Sequence, residues 1–457
     1  MNYKEFLNSK KHLLGNHGFK ATWFPEIAFD FQKHIIDKSI HKGRIANFLD
    51  TGLGKTLIQL SEAYNIVLHT NKKVLICTPL AVAFQFIEEA NKIGIDDIEY
   101  SKDGKHTKKI VICNYERLHY FDSKDFVGML LDESSILKNF DGKIKNQVNS
   151  FIKKLPYRFL STATPSPNDF IELGTSSEAL GYMGYMDMLG KFFKTNKNSV
   201  DSNNRNIGEK FYLKPHAEKD FFAWVNQWSI MVKMPSDIGY SDERYKLPKL
   251  NINDYTVRNT SLMEKDGQLL MFANKAKTMT EVRQEQKATI LKRCEAACDF
   301  AYEKTSVYWV NLNEEGDWID SIDNEAIQIK GSMSIDKKED ILINFAKGNI
   351  KRLITKAKMT GMGLNWQHCN HSVFFPTWSY EQYYQAVRRF WRFGQKREVT
   401  IDIVISDGME RVLEAIQQKT KKAKELYENL VKNVNSDFNH EYKEFNKQIQ
   451  LPKFIQG

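Results

Sequence analysis

Residues 50–56 read Asp-Thr-Gly-Leu-Gly-Lys-Thr, and they lie between an apolar run at residues 45–49 and a helical apolar pattern that begins at Leu57. A strand, a glycine-containing turn and a helix in this order are typical of a phosphate-binding loop. Glycines allow backbone N–H groups to turn towards phosphate oxygens, and the helix N-terminus adds partial positive charge. The usual G-x-x-x-x-G-K-[ST] pattern begins with a glycine, where this chain has Leu49. The stretch predicts a site for a nucleoside triphosphate.

The residues of this phosphate loop have separate predicted roles. Lys55 would reach the β- and γ-phosphates, and the hydroxyl of Thr56 would hold Mg²⁺. The backbone of Thr51, Gly52 and Gly54 would line the phosphate oxygens. The alternative is a glycine-rich turn that binds no ligand, and the strand–turn–helix context argues against it.

Length and composition narrow the class of protein. The chain has 457 residues, 42% of them hydrophobic, which is enough for two or more domains. No apolar run approaches about 18 residues, so we expect no membrane span, and the polar N-terminus lacks a secretory signal. Five widely spaced cysteines without a zinc-ligand framework are typical of a reduced, cytosolic protein. The net charge of +9 is compatible with a polyanionic partner.

Two regions alternate short strand patterns with helical patterns, which predicts parallel, doubly wound α/β sheets. The first has strand candidates at residues 73–77, 110–114, 128–132 and 157–161. The second has candidates at residues 306–311, 326–329, 352–355, 372–375 and 399–405. Because chemistry lies at the carboxyl ends of parallel strands, we expect the polar clusters after the first set to lie beside the phosphate loop.

Between and after these regions the pattern changes. Aromatic, helix-leaning sequence follows residue 181, and Trp224 and Trp228 are interpreted as the buried face of a helix rather than a base-stacking platform. A polar stretch at residues 195–210 is interpreted as a loop. The chain ends in a charged helical pattern at residues 410–434, which we expect to pack back on the core.

An acidic pair follows the apolar run at residues 129–131. Asp132 would coordinate Mg²⁺, directly or through water, while Glu133 would orient and deprotonate the attacking water. In the same predicted sheet as the phosphate loop, the pair indicates nucleotide hydrolysis. Thr162 and Thr164 follow the next strand candidate, where hydroxyl groups could sense the γ-phosphate. An ordinary strand-end turn is the alternative there.

A basic segment near the C-terminus completes the predicted catalytic set. Arg389 and Arg392 are three residues apart, so a helix would present them on one face. If that face meets the phosphate loop, they would act as arginine fingers that neutralise charge in the transition state. The alternative is a solvated basic helix.

Together these motifs resemble those of superfamily-two helicases, and among them the Swi/Snf-type DNA translocases. The resemblance extends from about residue 28 to residue 411, with the motifs in the same order. It implies two tandem RecA-like α/β domains, at residues 1–180 and 251–410, with a helical insertion at 181–250 and a C-terminal helical extension at 411–457. It also implies that ATP and Mg²⁺ are the cofactors.

The resemblance assigns further roles by position. Gln32 matches the glutamine that reads adenine, with Phe31 or Phe29 as a stacking ring. Gly363 matches a residue that completes the ATP site. Residues that match nucleic-acid contacts of the family are Thr78, Pro79, Asn114, Tyr115, Lys358 and Asn365.

Two stretches depart from the family pattern, and a third indicates a subgroup within the family. Ser134 and Ser135 stand where the family's acidic box has Ala-His, so coupling of hydrolysis to movement differs in detail. Residues 377–379, Thr-Trp-Ser, retain only the tryptophan of the D-W-N-P motif. The sequence at residues 132–248 looks most similar to phage and prophage members.

The resemblance implies an ATP-dependent DNA motor, a helicase or duplex translocase that serves replication, recombination or repair of phage or bacterial DNA. We expect a monomer in the cytoplasm of a bacterial host, acting on duplex or branched DNA in preference to single strands, with a replication protein or nuclease as partner. One alternative is an RNA helicase, because the T-A-T-P and glutamine motifs also suit RNA-acting relatives. Another is an ATP-gated DNA clamp that recruits a nuclease without moving.

Overall fold

Two parallel sheets, each covered by helices, form the two lobes of the molecule. The computed structural model describes residues 16–80, 82–138, 142–166, 169–196, 210–258, 264–265, 268–269, 279–360, 364–377, 379–406 and 409–434. Strands of both sheets pair in parallel throughout, as expected for crossover connections through helices. The predicted α/β class is confirmed.

The first lobe is built on a seven-stranded sheet. Its strands are β1 Arg44–Leu49, β2 Lys73–Thr78, β3 Ile98–Tyr100, β4 Ile110–Asn114, β5 Phe126–Asp132, β6 Tyr157–Thr162 and β9 Ser229–Val232, in the order β3-β4-β2-β5-β6-β1-β9. Helices that cover it are Asp30–Lys42, Lys55–Thr70, Val82–Lys92, Lys143–Ile152, Leu173–Leu180, Tyr185–Phe192 and Glu218–Trp228, and a hairpin joins β7 Phe193–Asn196 to β8 Lys210–Leu213.

The second lobe is built on a six-stranded sheet. Its strands are β10 Leu250–Val257, β13 Ser306–Trp309, β14 Ala326–Gln328, β15 Arg352–Thr355, β16 His371–Phe374 and β17 Val399–Ser406, in the order β10-β17-β16-β13-β15-β14. Its helices are Met279–Ala288, Ile290–Ala301, Asn313–Ile322, Ile335–Ala346, Ala357–Thr360 and Tyr380–Val387. A two-residue hairpin pairs β11 Glu264–Lys265 with β12 Gln268–Leu269.

The edge strands differ from the sequence-based expectation. Strand β9 lies within residues 181–250, the range assigned to an insertion, yet it pairs in parallel with β1 of the first sheet. Strand β10 lies at the start of the second range and pairs with β17. Neither strand was predicted, because each gains its partner only when distant segments meet. The helix Glu218–Trp228 in the insertion range agrees with the expectation, since Trp224 and Trp228 are buried with ring centroids 5.2 Å apart.

The C-terminal helix Glu410–Val434 joins the two lobes. Near its start, Val412 and Ile416 are buried in a core shared with β17 residues of the second lobe. Near its end, Leu430 is buried in the core of the first lobe, and the hydroxyl of Tyr427 donates to the carbonyl of Phe48 at 3.0 Å. The expectation that this helix packs back on the core is confirmed. No helix in the described ranges is long and apolar enough to cross a membrane.

Candidate functional site

The phosphate loop connects β1 to the helix Lys55–Thr70, at the carboxyl edge of the first sheet. Gly52 and Gly54 have φ values of +94° and +82°, a conformation that side chains disfavour. A Cβ on Gly54 would lie 2.2 Å from Nε2 of Gln32, and one on Gly52 would lie 2.7 Å from the backbone N of Phe393. The loop therefore requires glycine at both positions, and the second lobe packs directly on it.

Lys55 lies at the centre of a cluster of carboxylates. Its ammonium donates to the carbonyls of Leu49 at 3.1 Å and Asp50 at 3.3 Å. Burial lowers the pKa of Lys55 to about 8, although Glu133, Asp50 and Asp132 oppose the shift. The lysine is thus held among negative charges at the place predicted for the β- and γ-phosphates.

The acidic pair at the end of β5 is buried and held in place by hydrogen bonds. Asp132 accepts from Nε2 of Gln59 at 2.9 Å, and burial together with Glu133 raises its pKa to about 6. Glu133 has a φ of +54°, which turns its side chain away from the path of the strand. The hydroxyl of Thr162 donates to Glu133 at 2.6 Å and accepts from the backbone N–H of Thr164 at 3.1 Å. The predicted coupling segment therefore contacts the predicted catalytic base.

The same segment also reaches the second lobe. Lys138, which follows the acidic pair, donates to Glu381 of the helix Tyr380–Val387 at 2.9 Å. The hydroxyl of Thr164 donates to the same carboxylate at 3.4 Å. A chain of hydrogen bonds thus runs from Glu133 through Thr162 and Thr164 to a helix of the other lobe.

Arg389 and Arg392 face the first lobe, but not from a helix. The helix ends at Val387, and both arginines lie in the following turns, so the prediction of one helical face was wrong. The turns are stabilised by Gln395, whose side chain donates to the carbonyls of Gln367, Cys369 and Phe390, and by Gly394 with a φ of +92°.

The surroundings of these arginines agree with the predicted role. Burial lowers the pKa of Arg389 to about 10, with Glu133 acting in the opposite direction. Burial also lowers the pKa of Arg392, against which Glu89 and Asp132 act. Arg389 donates to the carbonyl of Leu364 at 2.7 Å, whereas the buried Nε–H of Arg392 has no hydrogen-bond acceptor among the described groups. Two cations of the second lobe therefore lie within electrostatic reach of the acidic pair.

The predicted adenine-binding residues are only partly suited to that role. Gln32 contacts the phosphate loop directly, because its Nε2 donates to the carbonyl of Leu53 at 3.0 Å. Phe31 is 2% exposed and packs against Tyr245, so its ring is not available for stacking. The partly exposed ring of Phe29, the second residue considered, lies 6.5 Å from the ring of Phe393 of the second lobe.

The structure does not bring the four first-lobe nucleic-acid candidates to an exposed face. Thr78 is buried, and Pro79 is partly exposed. Asn114 is buried and donates to Glu339 of the second lobe at 3.0 Å. Tyr115 is buried beneath the acidic pair, where its hydroxyl donates to the carbonyl of Asp132 at 2.7 Å. The amide nitrogen of Asn114 and the hydroxyl of Tyr115 thus have partners inside the protein, and phosphate contacts by these two residues stay a prediction.

The second lobe offers a basic cavity instead. A cavity of about 530 Å³ lies at the carboxyl edge of the second sheet and is bordered by Lys356, Lys358 and Lys419 together with Asn311. Lys358 is exposed, as a phosphate contact requires. Asn365 donates to Gln367 at 3.4 Å, and its buried Oδ1 has no hydrogen-bond partner among the described groups. Gly363 lies outside the described residues.

The donor set at the loop suits Mg²⁺. Thr56 contributes a partly exposed hydroxyl and Asp132 a carboxylate, the oxygen ligands that this ion prefers alongside water and phosphate. No cluster of three or more His, Cys, Asp or Glu side chains occurs in the described part of the chain.

Three residues of this site were not predicted from the sequence. Asp50, Tyr384 and Arg388 meet across the lobes, with Tyr384 donating to Asp50 at 2.6 Å and Arg388 paired with the same carboxylate. Asp50 lies next to the glycines of the phosphate loop, and Arg388 lies next to Arg389. This position in the sequence was the one feature that could have marked them as site residues.

Similarity to known proteins agrees with this geometry. Residues 303–394 match the family described as the helicase conserved C-terminal domain. A segment of 97 residues is 29% identical to the DNA repair protein RAD5 of Yarrowia lipolytica; it is 21% of this chain and 10% of that protein.

Solved structures show the fold. Dbp5 of S. cerevisiae bound to RNA and ADP BeF3 superposes with a TM-score of 0.55 at 13% identity, covering 89% of this chain and 93% of that chain. A point variant of Dbp5 with the same ligands has a TM-score of 0.53 at 14% identity, covering 88% and 93%. The fold is that of two RecA-like domains, and residues 303–394 are similar to helicase C-terminal domains.

Proposed function

We propose that this protein is an ATP-dependent DNA motor that couples ATP hydrolysis to movement on DNA. The proposal depends chiefly on one observation: the turns that carry Arg389 and Arg392 pack on the phosphate loop of the first lobe, where Arg388 pairs with Asp50 and the backbone of Phe393 lies against Gly52. A hydrolysis site divided between two lobes can be opened and closed, and each cycle can therefore produce a displacement.

The residues of the site have distinct tasks in this proposal. Lys55 and the loop backbone bind the triphosphate, and Glu133 accepts a proton from the attacking water. Thr162 holds the Glu133 carboxylate in position through the 2.6 Å hydrogen bond. The guanidinium groups of Arg389 and Arg392 neutralise charge that develops on the transferring phosphoryl group. When bound, Mg²⁺ held through Thr56 and Asp132 would neutralise charge on the phosphates.

The structural effect of hydrolysis would be transmitted to the second lobe through the hydrogen bonds of Thr164. Loss of the γ-phosphate changes the charge beside Glu133, and Thr162 contacts both Glu133 and the Thr164 backbone. A shift of Thr164 would then alter the hydrogen bonds that the Thr164 hydroxyl and Lys138 donate to Glu381 of the second lobe. This route couples the chemical step to lobe movement.

Several observations favour DNA as the track. A segment of this chain matches a DNA repair protein, and a cavity bordered by three lysines lies at the carboxyl edge of the second sheet. Lysines bind phosphates as point charges and do not read bases, so we expect little sequence preference and a steep salt dependence. The Swi/Snf-type resemblance favours duplex or branched DNA. The phage-like stretch favours a role in replication, recombination or repair in the cytoplasm of a bacterial host. In this proposal the motor is a monomer, and its partner is a replication protein or a nuclease.

An RNA-acting helicase is the second candidate. It is favoured by the fold similarity to Dbp5 structures that contain RNA, and by the T-A-T-P motif at residues 162–165. An ATP-gated clamp is the third, and multiple turnovers of ATP would count against it.

Steady-state ATPase measurements separate these candidates. Turnover would be measured with matched duplex DNA, branched DNA, single-stranded DNA and RNA across a salt series. We expect duplex or branched DNA to stimulate turnover at least as strongly as single strands. Lys358→Ala should reduce, by about 1, the slope of the logarithm of DNA affinity against the logarithm of salt concentration. Exposed Lys347 in the same lobe provides a matched control, Lys347→Ala. Stimulation by RNA alone would refute the DNA assignment, and turnover independent of any nucleic acid would refute the motor.

A further inference from the structure

The carboxylate of Asp50, the residue that opens the phosphate loop, is held by the second lobe. One oxygen accepts from the hydroxyl of Tyr384 at 2.6 Å and from the backbone N–H of Thr51 at 2.6 Å. The other pairs with the guanidinium of Arg388. Asp50 and Arg388 are each 7% exposed, so this ion pair is shielded from water.

Charge and burial both act on this pair. Burial by itself would raise the pKa of Asp50, but the charge and hydrogen bonds of Arg388 and Tyr384 hold it below its usual range. Removing either partner would leave the other as a buried, unpaired charge, which is strongly unfavourable. Asp50 and Arg388 therefore stabilise the contact between the lobes only while both are present.

Each partner also contacts the catalytic groups of its own lobe. The backbone carbonyl of Asp50 accepts from the ammonium of Lys55 at 3.3 Å. Arg388 donates through Nη1 to the carbonyl of Trp391 at 3.3 Å, within the turns that carry Arg389 and Arg392. The pair thus joins the segment that presents the catalytic lysine to the segment that presents the two arginines.

We propose that Asp50 and Arg388 form an inter-lobe positioning pair, which aligns the phosphate loop with the arginine turns so that Arg389 and Arg392 face the reacting phosphate. The inference rests on the proposed ATPase activity. Neither residue contacts the acidic pair directly, and their effect acts through Lys55, Arg389 and Arg392.

A mutant cycle tests the pair. Asp50→Asn keeps an acceptor for Tyr384 and Thr51 but removes the charge, and Arg388→Met removes the cation at similar length. We expect each single variant to lower kcat about 10²-fold through misalignment of the arginines. We expect the affinity for a fluorescent ADP analogue, which the first lobe binds, to change by less than about threefold. Arg397→Met is the matched control, because Arg397 is exposed in the same lobe and its side chain donates to the carbonyls of Gln367 and His368.

The double variant distinguishes positioning from stability. Asp50→Asn with Arg388→Met leaves no unpaired charge, so the melting temperature should recover towards wild type while kcat stays low. Arg388→Lys, which keeps the charge, should restore part of kcat. Recovery of wild-type kcat in the double variant would overturn the proposal, because the pair would then serve only to stabilise the fold. A raised KM with unchanged kcat in the single variants would overturn it as well.

A second readout separates this inference from the proposed function. Dyes attached at exposed Lys72 of the first lobe and exposed Lys347 of the second report the inter-lobe distance by energy transfer. If the wild-type protein hydrolyses no ATP, the proposed function fails, and the pair is judged by this distance alone. We expect Arg388→Met to broaden the distance distribution and Arg397→Met to leave it unchanged. A distribution unaffected by Arg388→Met would overturn the positioning pair.

Discussion

Replacement of Glu133 by glutamine tests the proposed base with little change in structure. Glu133 is 6% exposed, and the substitution keeps both the volume of the side chain and an acceptor for the Thr162 hydroxyl. The φ of +54° is equally accessible to glutamine. We therefore expect the free energy of unfolding to change by no more than about 1 kcal/mol.

The effect on catalysis should be much larger. A positioned general base contributes about 10²–10⁴-fold to rate, which corresponds to about 3–5 kcal/mol of transition-state stabilisation. Glu133 also raises the pKa of Asp132, so its neutralisation favours the charged form of Asp132 and preserves that metal ligand. Glu133→Gln should thus retain ATP affinity while kcat falls by about 10²–10⁴.

The assay combines nucleotide binding with single-turnover hydrolysis at saturating DNA. Glu116→Gln is the control, because Glu116 is an exposed carboxylate in the same lobe and should behave as wild type. Thr162→Val should lie between the two, with a loss of about tenfold, since only the hydrogen bond that orients the base is removed. A Glu133→Gln protein that retains more than about a tenth of wild-type kcat would refute the assignment of Glu133 as the base.

Three further predictions use other residues. Lys55→Ala should abolish turnover in a folded protein, because the charge on the β- and γ-phosphates is lost; wild-type turnover, measured by phosphate release, would contradict the site. Arg389→Ala and Arg392→Ala should each lower kcat far more than ATP affinity, and equal losses in kinetics and equilibrium binding would indicate a plain binding role. Glu62 is buried, accepts from Asn47 at 2.7 Å, and has its pKa raised by burial from 4.5 to about 8. The folded protein therefore retains a proton that the unfolded chain releases, so its contribution to stability is full below pH 4.5 and is lost as pH rises through about 8. Glu62→Gln should flatten that decline in urea titrations, and an unchanged pH profile would contradict it.

The grouping of the phosphate loop and the acidic pair at one sheet edge could be predicted from the sequence because the signals are local. The phosphate loop requires glycines next to a strand and a helix, and residues 50–56 supply them. The acidic pair follows an apolar run whose burial on both faces marks an internal parallel strand. Parallel pairing then brings the carboxyl ends of these strands to one edge, as expected.

Predictions failed where the outcome depended on long-range packing. A helical pattern suggested one face for Arg389 and Arg392, but the helix ends at Val387. The side chain of Gln395 stabilises the following turns by donating to the carbonyls of Gln367, Cys369 and Phe390. Family position suggested nucleic-acid contacts for Asn114 and Tyr115, and nothing in the sequence indicated that both residues are buried, with Asn114 bonded to Glu339 and Tyr115 to Asp132.

By itself, the sequence determined the α/β class, the phosphate loop and the acidic pair, because hydrophobic period and short-range spacing specify strands, turns and the residues at strand ends. Only the tertiary structure decided that β9 and β10 complete the two sheets and that Asp50 meets Arg388. Those two residues are 338 positions apart, and no local pattern distinguishes them from other charged residues. Their pairing depends on where two folded lobes meet, since a buried charge must find its partner at that interface.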